Sequence, residues 1–261
     1  MDLQLNERRA VVCGSTQGIG KASAIELAML GASVTLIARN KPKLESTLNE
    51  LDSSKGQRHD YLVADFSQPQ ELKKIIEFYT ANTEAHILVN NTGGPPGGPA
   101  LTASLSEFVS AFSNHLLCNQ VLVQALVPAM KKAGYGRIIN IISTSVKAPI
   151  KGLGVSNTIR GAVANWAKTL SVELGPFGIT VNNVLPGASM TGRLESIIKD
   201  RASKQSKTVE EVEKEMIAEI PAGRISTPSE VAAAVAFLST PAAGYINGIN
   251  VPVDGGRTGS L

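Results

Sequence analysis

Residues 10–32, AVVCGSTQGIGKASAIELAMLGA, hold the first side chains and gaps whose spacing could do chemistry. An apolar strand runs into Gly14, Gly18 and Gly20, and a helix follows. Glycines there permit a tight turn and close approach of the backbone to a pyrophosphate, whose charge the helix N-terminus attracts. A GxxxGxG spacing between strand and helix therefore points to dinucleotide binding. The second candidate is Arg39, just after SVTLIA (residues 33–38). A carboxylate at that strand end would accept hydrogen bonds from the ribose 2′-hydroxyl of NAD and repel a phosphate. Ala38 and Arg39 stand there instead. A guanidinium matches a phosphate in a bidentate fork and stacks on adenine, so the chain favours NADP(H) over NAD(H). A solvated arginine in a basic turn with Lys41 and Lys43 is the alternative.

The elements that must hold these residues follow from the hydrophobic pattern. RAVVC, SVTLIA, YLVA, HILVN, RIINII, TVNNVL and INVPV are strand candidates, separated by helical patterns beginning near Ile19, Lys41, Pro69, Leu105, Ser156 and Pro228. Near-continuous apolar strands alternating with helices predict a parallel sheet covered on both faces, a doubly wound α/β fold. No repeat or linker divides the chain, so residues 1–261 read as one domain with an insertion at about 191–221. The charge run of the insertion, KDRASKQSKTVEEVEKE, reads first as a solvated helix face.

Composition narrows the function. The 261 residues are 43% hydrophobic and 18% charged, enough for one large core. A formal charge of +3 gives no strong basic field, which disfavours nucleic acid and anionic membranes as partners. Cys13 and Cys118 offer neither a disulfide framework nor a metal cluster, so no metal is expected. No leader or spanning segment is read, and a cytoplasmic location is expected.

CGSTQGIG (residues 13–20), Asp65 after the third strand, LVNNTGG (88–94), GRIINIIS (136–143), NNVLPGASMT (182–191) and PVDGG (252–256) together resemble the short-chain dehydrogenases/reductases. Within that family the chain looks most like bacterial 3-oxoacyl-acyl-carrier-protein reductases, in a divergent branch with NNTGGPP and an SNxxR segment. The resemblance implies a Rossmann-type sheet of about seven strands, a nicotinamide cofactor and a homotetramer. It assigns Gly14, Ser15, Gln17, Gly18, Ile19 and Gly20 to the phosphate turn, and Arg39 and Asn40 to the adenosine ribose end. Asp65 would meet the adenine beside the Phe66 amide. Asn91, Thr92 and Gly93 match the element beside the adenosine ribose, with Thr92 in place of alanine. Pro186, Gly187, Ser189 and Thr191 match the segment that orients the nicotinamide carboxamide. The tetramer interfaces would use the helices from Leu105 and Ser156 and the C-terminal run AAGYINGINVPVDGG.

The same resemblance implies a catalytic asparagine, serine, tyrosine and lysine, the last two one helical turn apart. Ser143 occupies the serine position. Ser156 stands where tyrosine is expected, Arg160 where lysine is expected, and counting back from GRIINIIS places His115 at the asparagine, just after Asn114. Arginine keeps the charge and the reach to a ribose hydroxyl but does not deprotonate. A serine hydroxyl is a far weaker acid than a phenol of pKa about 10, and shorter. His115 is the nearby side chain that ordinarily titrates near neutrality, so it becomes a candidate proton source through a hydroxyl or water chain, against the simpler reading of a packed histidine.

Three functions stay open on this basis. The chain is an NADP(H)-dependent oxidoreductase interconverting a ketone and a secondary alcohol, a nucleotide-binding sensor or assembly partner without turnover, or a non-redox epimerase or dehydratase on the same scaffold. Its substrate would be a small carbonyl compound or an acyl thioester. Arg193, Lys199, Arg201, Lys204 and Lys207 in the insertion could meet a carrier phosphate.

Overall fold

The computed structural model describes residues 1–260. Seven strands, β1 (Arg9–Cys13), β2 (Ser33–Ala38), β3 (Asp60–Val63), β4 (Ile87–Asn90), β5 (Gly136–Ile141), β6 (Ile179–Pro186) and β7 (Asn250–Val253), form one parallel sheet. The order is β3-β2-β1-β4-β5-β6-β7. Between β1 and β4 the direction of winding reverses, and in doubly wound sheets such a switch opens a crevice at the carboxyl ends of the strands.

The pleat sorts side chains between two cores. Ala10 and Val12 of β1, with Ile87 and Val89 of β4, face α1 (Gly18–Met29), α2 (Lys41–Leu48) and α9 (Pro228–Leu238). Val11, Cys13 and Leu88 face α3 (Pro69–Thr80), α5 (Cys118–Ala133) and α6 (Gly154–Leu174) on the other side. Both faces are dry, which is why the strands read as continuous apolar runs.

One detail departs from the sequence reading and two sharpen it. The helical pattern from Leu105 is two helices, α4 (Leu105–Phe112) and α5, joined by a π-helical turn at Ser113–Leu117. The helix expected near Ser156 starts at Gly154, which packs against the Ala100 backbone so closely that a Cβ would lie 2.3 Å from the Ala100 nitrogen. The insertion folds as α7 (Gly192–Gln205) and α8 (Val209–Ala218) around a small core of Leu194, Ile198, Ala202, Val212 and Ile220.

An asparagine ladder fixes the catalytic side of the sheet. Asn90, Asn140, Asn183 and Asn250 are register partners on β4 to β7. Each side-chain amide donates to the next carbonyl oxygen, at 2.9 Å, 2.9 Å and 2.8 Å. A one-residue slip would flip every side chain to the other face and break all three bonds. The ladder thus sets where the following residues, Asn91, Ser143 and Pro186, leave the sheet.

Candidate active site

At the switch point a cleft of about 760 Å³ runs along the carboxyl ends of the strands. Its first wall is the turn after β1. Gly14 and Gly18 hold φ of +56° and +53°, a region that side-chain-bearing residues rarely adopt. A Cβ on Gly14 would lie 2.6 Å from the Asn91 carbonyl oxygen, and one on Gly20 would lie 2.3 Å from that of Gly14. The Asn91 side-chain amide donates to the Cys13 and Gly14 carbonyls, at 3.3 Å each, and clamps the turn to the end of β4. Gln17, ahead of α1, makes no side-chain cap, so the first amides of that helix are left for an anion.

At the adenosine end, Arg39, Asn40 and Lys43 line one side and Asp65 and Phe66 the other. Asn40 caps α2 by accepting from the Lys43 amide at 2.9 Å, and Arg39 and Lys43 flank it on the cleft wall. Asp65 accepts from the Ser67 amide at 2.9 Å. That bond, helped by the charge of Arg39, holds its carboxyl below the usual range.

The opposite end gathers Pro186, Gly187, Ser189 and Thr191 with Ser143, Ser156 and Arg160. Thr191 caps α7 through the Leu194 amide at 3.3 Å. Ser189 is buried, and its hydroxyl has no partner among the described residues. Ser143 accepts from the Ser145 amide at 3.1 Å, which leaves its own proton free to donate. Ser156 and Arg160 lie one turn apart on α6 and share a face. Arg160 is 8% exposed and donates from Nη1 to the Ile141 carbonyl at 3.2 Å. Burial, with the charge of Arg193 adding, pulls its guanidinium down to about 10.

Most sequence-predicted site residues therefore meet in one cleft, and three do not line it. Ser15 is fully buried and ties the turn to β2 by donating to the Ile37 carbonyl at 3.3 Å. Gly20 sits behind the turn, where its role is to make room. His115 is 2% exposed and pairs through Nδ1 with the Thr92 hydroxyl at 2.5 Å. Burial, then the charge of Arg160, pushes His115 down to about 2, which favours the packed histidine over the titrating proton source, the two readings the sequence left open. The wider π turn brings its neighbour Asn114 to the cleft instead.

Thr16, Lys43, Asn114 and Arg193 also line the cleft and were not among the predicted site residues. Thr16 and Lys43 were legible as members of motifs already singled out. Asn114 and Arg193 needed the π turn and the fold of the insertion.

The cradle fits a dinucleotide: two left-handed glycines, close backbone approach at Gly14 and Gly20, uncapped amides at α1 and an orphaned buried hydroxyl at Ser189. Comparison with known proteins agrees with this geometry. The family profile described as Enoyl-(Acyl carrier protein) reductase matches residues 14–258, and the chain belongs to the short-chain dehydrogenase/reductase family. It is 33% identical to a tropinone reductase homologue of Arabidopsis thaliana over 97% of this chain and 76% of the relative. It is 30% identical to the 7alpha-hydroxysteroid dehydrogenase of Escherichia coli, over 100% of this chain and 98% of that one. The crystal structure of L-sorbose reductase from Gluconobacter frateurii, complexed with NADPH and L-sorbose, superposes with a TM-score of 0.93 at 28% identity, over the whole of both chains.

Proposed function

We propose that this protein is an NADPH-dependent reductase that interconverts a ketone and a secondary alcohol. The observation that carries the reading is one continuous cleft with Arg39 and the glycine turn at one end and Ser143, Ser156 and Arg160 at the other. When bound, NADPH supplies a hydride to the carbonyl carbon. Negative charge then grows on the carbonyl oxygen, where donors fixed in advance lower the barrier. Ser143 donates there from a rotamer held by the Ser145 amide. Arg160 contributes positive potential and would hold the hydroxyls of the nicotinamide ribose. Ser156 completes the polar wall and passes a proton in from solvent.

A tetramer is part of this reading. It is supported by exposed apolar residues on α4 and the π turn, Leu105, Val109, Phe112 and Leu117, and by exposed Tyr245 and Ile249 near the C-terminus. Light scattering that gives a monomer mass at micromolar concentration would reject it. A cytoplasmic location is supported by two unpaired, buried thiols, Cys13 and Cys118.

The basic insertion gives less support to a 3-oxoacyl thioester as the substrate than its charge run suggests. Lys204 pairs with Asp200 at 2.8 Å, and Arg201 and Lys207 both pair with Glu215, so these bases face one another's acids. One observation favours a second reading, nucleotide binding without turnover: Ser156 replaces a phenol, and neutral His115 supplies no acid in its place. NADPH oxidation followed by absorbance across ketone and 3-oxoacyl thioester panels separates the two. Turnover of any ketone that Ser143→Ala slows supports the reductase, whereas tight NADPH binding with no turnover supports the second reading.

A further inference from the structure

At the reaction end of the cleft two guanidinium groups face one space that, among the described residues, holds no carboxylate. Arg160 rises from α6 and Arg193 from the first turn of α7, and both line the cleft with Ser143, Ser156 and Asn114. The hydrogen bonds they make within the chain are to backbone carbonyls: Arg160 to Ile141 at 3.2 Å, and Arg193 Nη2 to Pro95 at 2.6 Å. Among the described residues neither takes part in an ion pair, while the other arginines and lysines of the insertion that enter ion pairs do so with its acids.

The nearby carboxylates are already engaged. Asp65 lines the adenosine end and accepts from Ser67. Glu107 borders the smaller adjoining cavity and is taken by the Ser104 amide and hydroxyl in the cap of α4. Burying a cation costs free energy unless an anion or several acceptors meet it, and two cations in one partly dry pocket also repel. Arg160, more than nine-tenths buried with one hydrogen bond from five donors, is such a cation. Arg193 keeps the edge of its fork beside Gly94, on the open side of the cleft. A planar guanidinium prefers a carboxylate presented to two of its nitrogens.

We infer that the ketone reduced here carries a carboxylate, which Arg193 grips at the mouth of the cleft while Arg160 supports the charge from beneath. This rests on the reductase reading and names its substrate class, an oxo acid.

The test sets 2-oxo and 3-oxo acids beside their own methyl esters as substrates for the full-length protein with NADPH. The acid of the productive pair is expected to exceed its ester in kcat/KM by about tenfold to hundredfold, the span of one charge-assisted hydrogen-bonded pair. Arg193→Gln is expected to bring that ratio close to one, and Arg193→Lys to restore part of it. An ester that matches its acid overturns the inference and leaves the reductase reading standing. So does an Arg193→Gln variant that loses acid and ester equally, which is what a purely structural latch on Pro95 predicts. If neither acids nor esters are reduced, the ketone panel decides the reductase reading separately. Calorimetric titration of the NADP⁺-loaded protein with the same acids then decides the site: binding that Arg193→Gln abolishes upholds it, and no binding overturns it.

Discussion

Around Gly14 and Gly20 the cleft recognises its ligand with backbone: positive φ angles, missing Cβ atoms and the free amides of α1. Around Ser143 and Arg160 it is built from side chains drawn from β5, α6, the π turn and α7. The first end is tightly specified, because any added atom meets a neighbour at 2.3–2.6 Å. The second is less tightly specified, and the chain has replaced three residues there that its family resemblance leads one to expect: His115, Ser156 and Arg160 stand in their places. A binding scaffold and a reacting surface can therefore change at different rates within one cavity. The variants below test that division, from the largest expected effect to the smallest.

The reacting end breaks most visibly at Ser143. Removing one preorganised donor to a developing oxyanion typically costs about 10² to 10³ in kcat. Ser143→Ala is expected to fall in that range with unchanged NADPH affinity, measured by steady-state kinetics and fluorescence titration. Native kcat in the variant would move the chemistry away from this serine. The cofactor end is probed at Arg39. Arg39→Asp swaps a phosphate-pairing cation for a repelling anion, so NADPH should weaken by roughly 10-fold to 100-fold while NADH changes little. Equal loss for both cofactors would mean that Arg39 does not read the phosphate.

Both ends hang from the same sheet, and the asparagine ladder is where that shared support can be cut. Asn140→Leu leaves the Asn90 amide and the Asn183 carbonyl without partners in the core. Each orphaned buried group costs about 1–3 kcal/mol. For a domain of this size the melting temperature should fall by about 4–12 °C. A shift under one degree, which differential scanning calorimetry resolves, would show that packing alone fixes the register.

How much of this was legible depended on whether a feature is local in the chain. The seven strand runs, the glycine turn and Arg39 each fit within a dozen residues, and all stand where the pattern put them. What the pattern could not show is convergence. Thr92 for alanine and His115 for asparagine looked like two separate departures, yet they form one hydrogen bond across the cleft wall. Asn114 reaches the cleft because a π turn widens the helix by a fraction of a turn, and a count from GRIINIIS cannot see that. Arg193 was one of five bases in the insertion. The pairing of Arg201, Lys204 and Lys207 with acids of the insertion leaves Arg193 and Lys199, and of these two it is Arg193 that lines the cleft.

His115 gives the smallest and most discriminating effect, since it lies on the reacting side but is held as tightly as the cofactor turn. Its folded-state pKa of about 2 is far below the ordinary 6.5, because burial and the Arg160 charge oppose protonation. As pH falls below 6.5, the unfolded chain takes up a proton there that the folded chain refuses. Stability from this group is therefore complete above pH 6.5 and is lost progressively as pH drops toward 2, by at most about 1.4 kcal/mol per unit. His86, also pushed down by burial, adds a slope of the same sign. The comparison that isolates His115 is the native protein against His115→Asn, with melting temperatures taken from pH 7.5 to pH 5. The variant is expected to lose less stability over that interval, although it can start lower because the Thr92 bond is altered. Activity should show no inflection near pH 6.5 that the substitution removes. If such an inflection appears in the native enzyme and vanishes in His115→Asn, the histidine titrates during turnover, and the reacting end is more open to water than its 2% exposure allows.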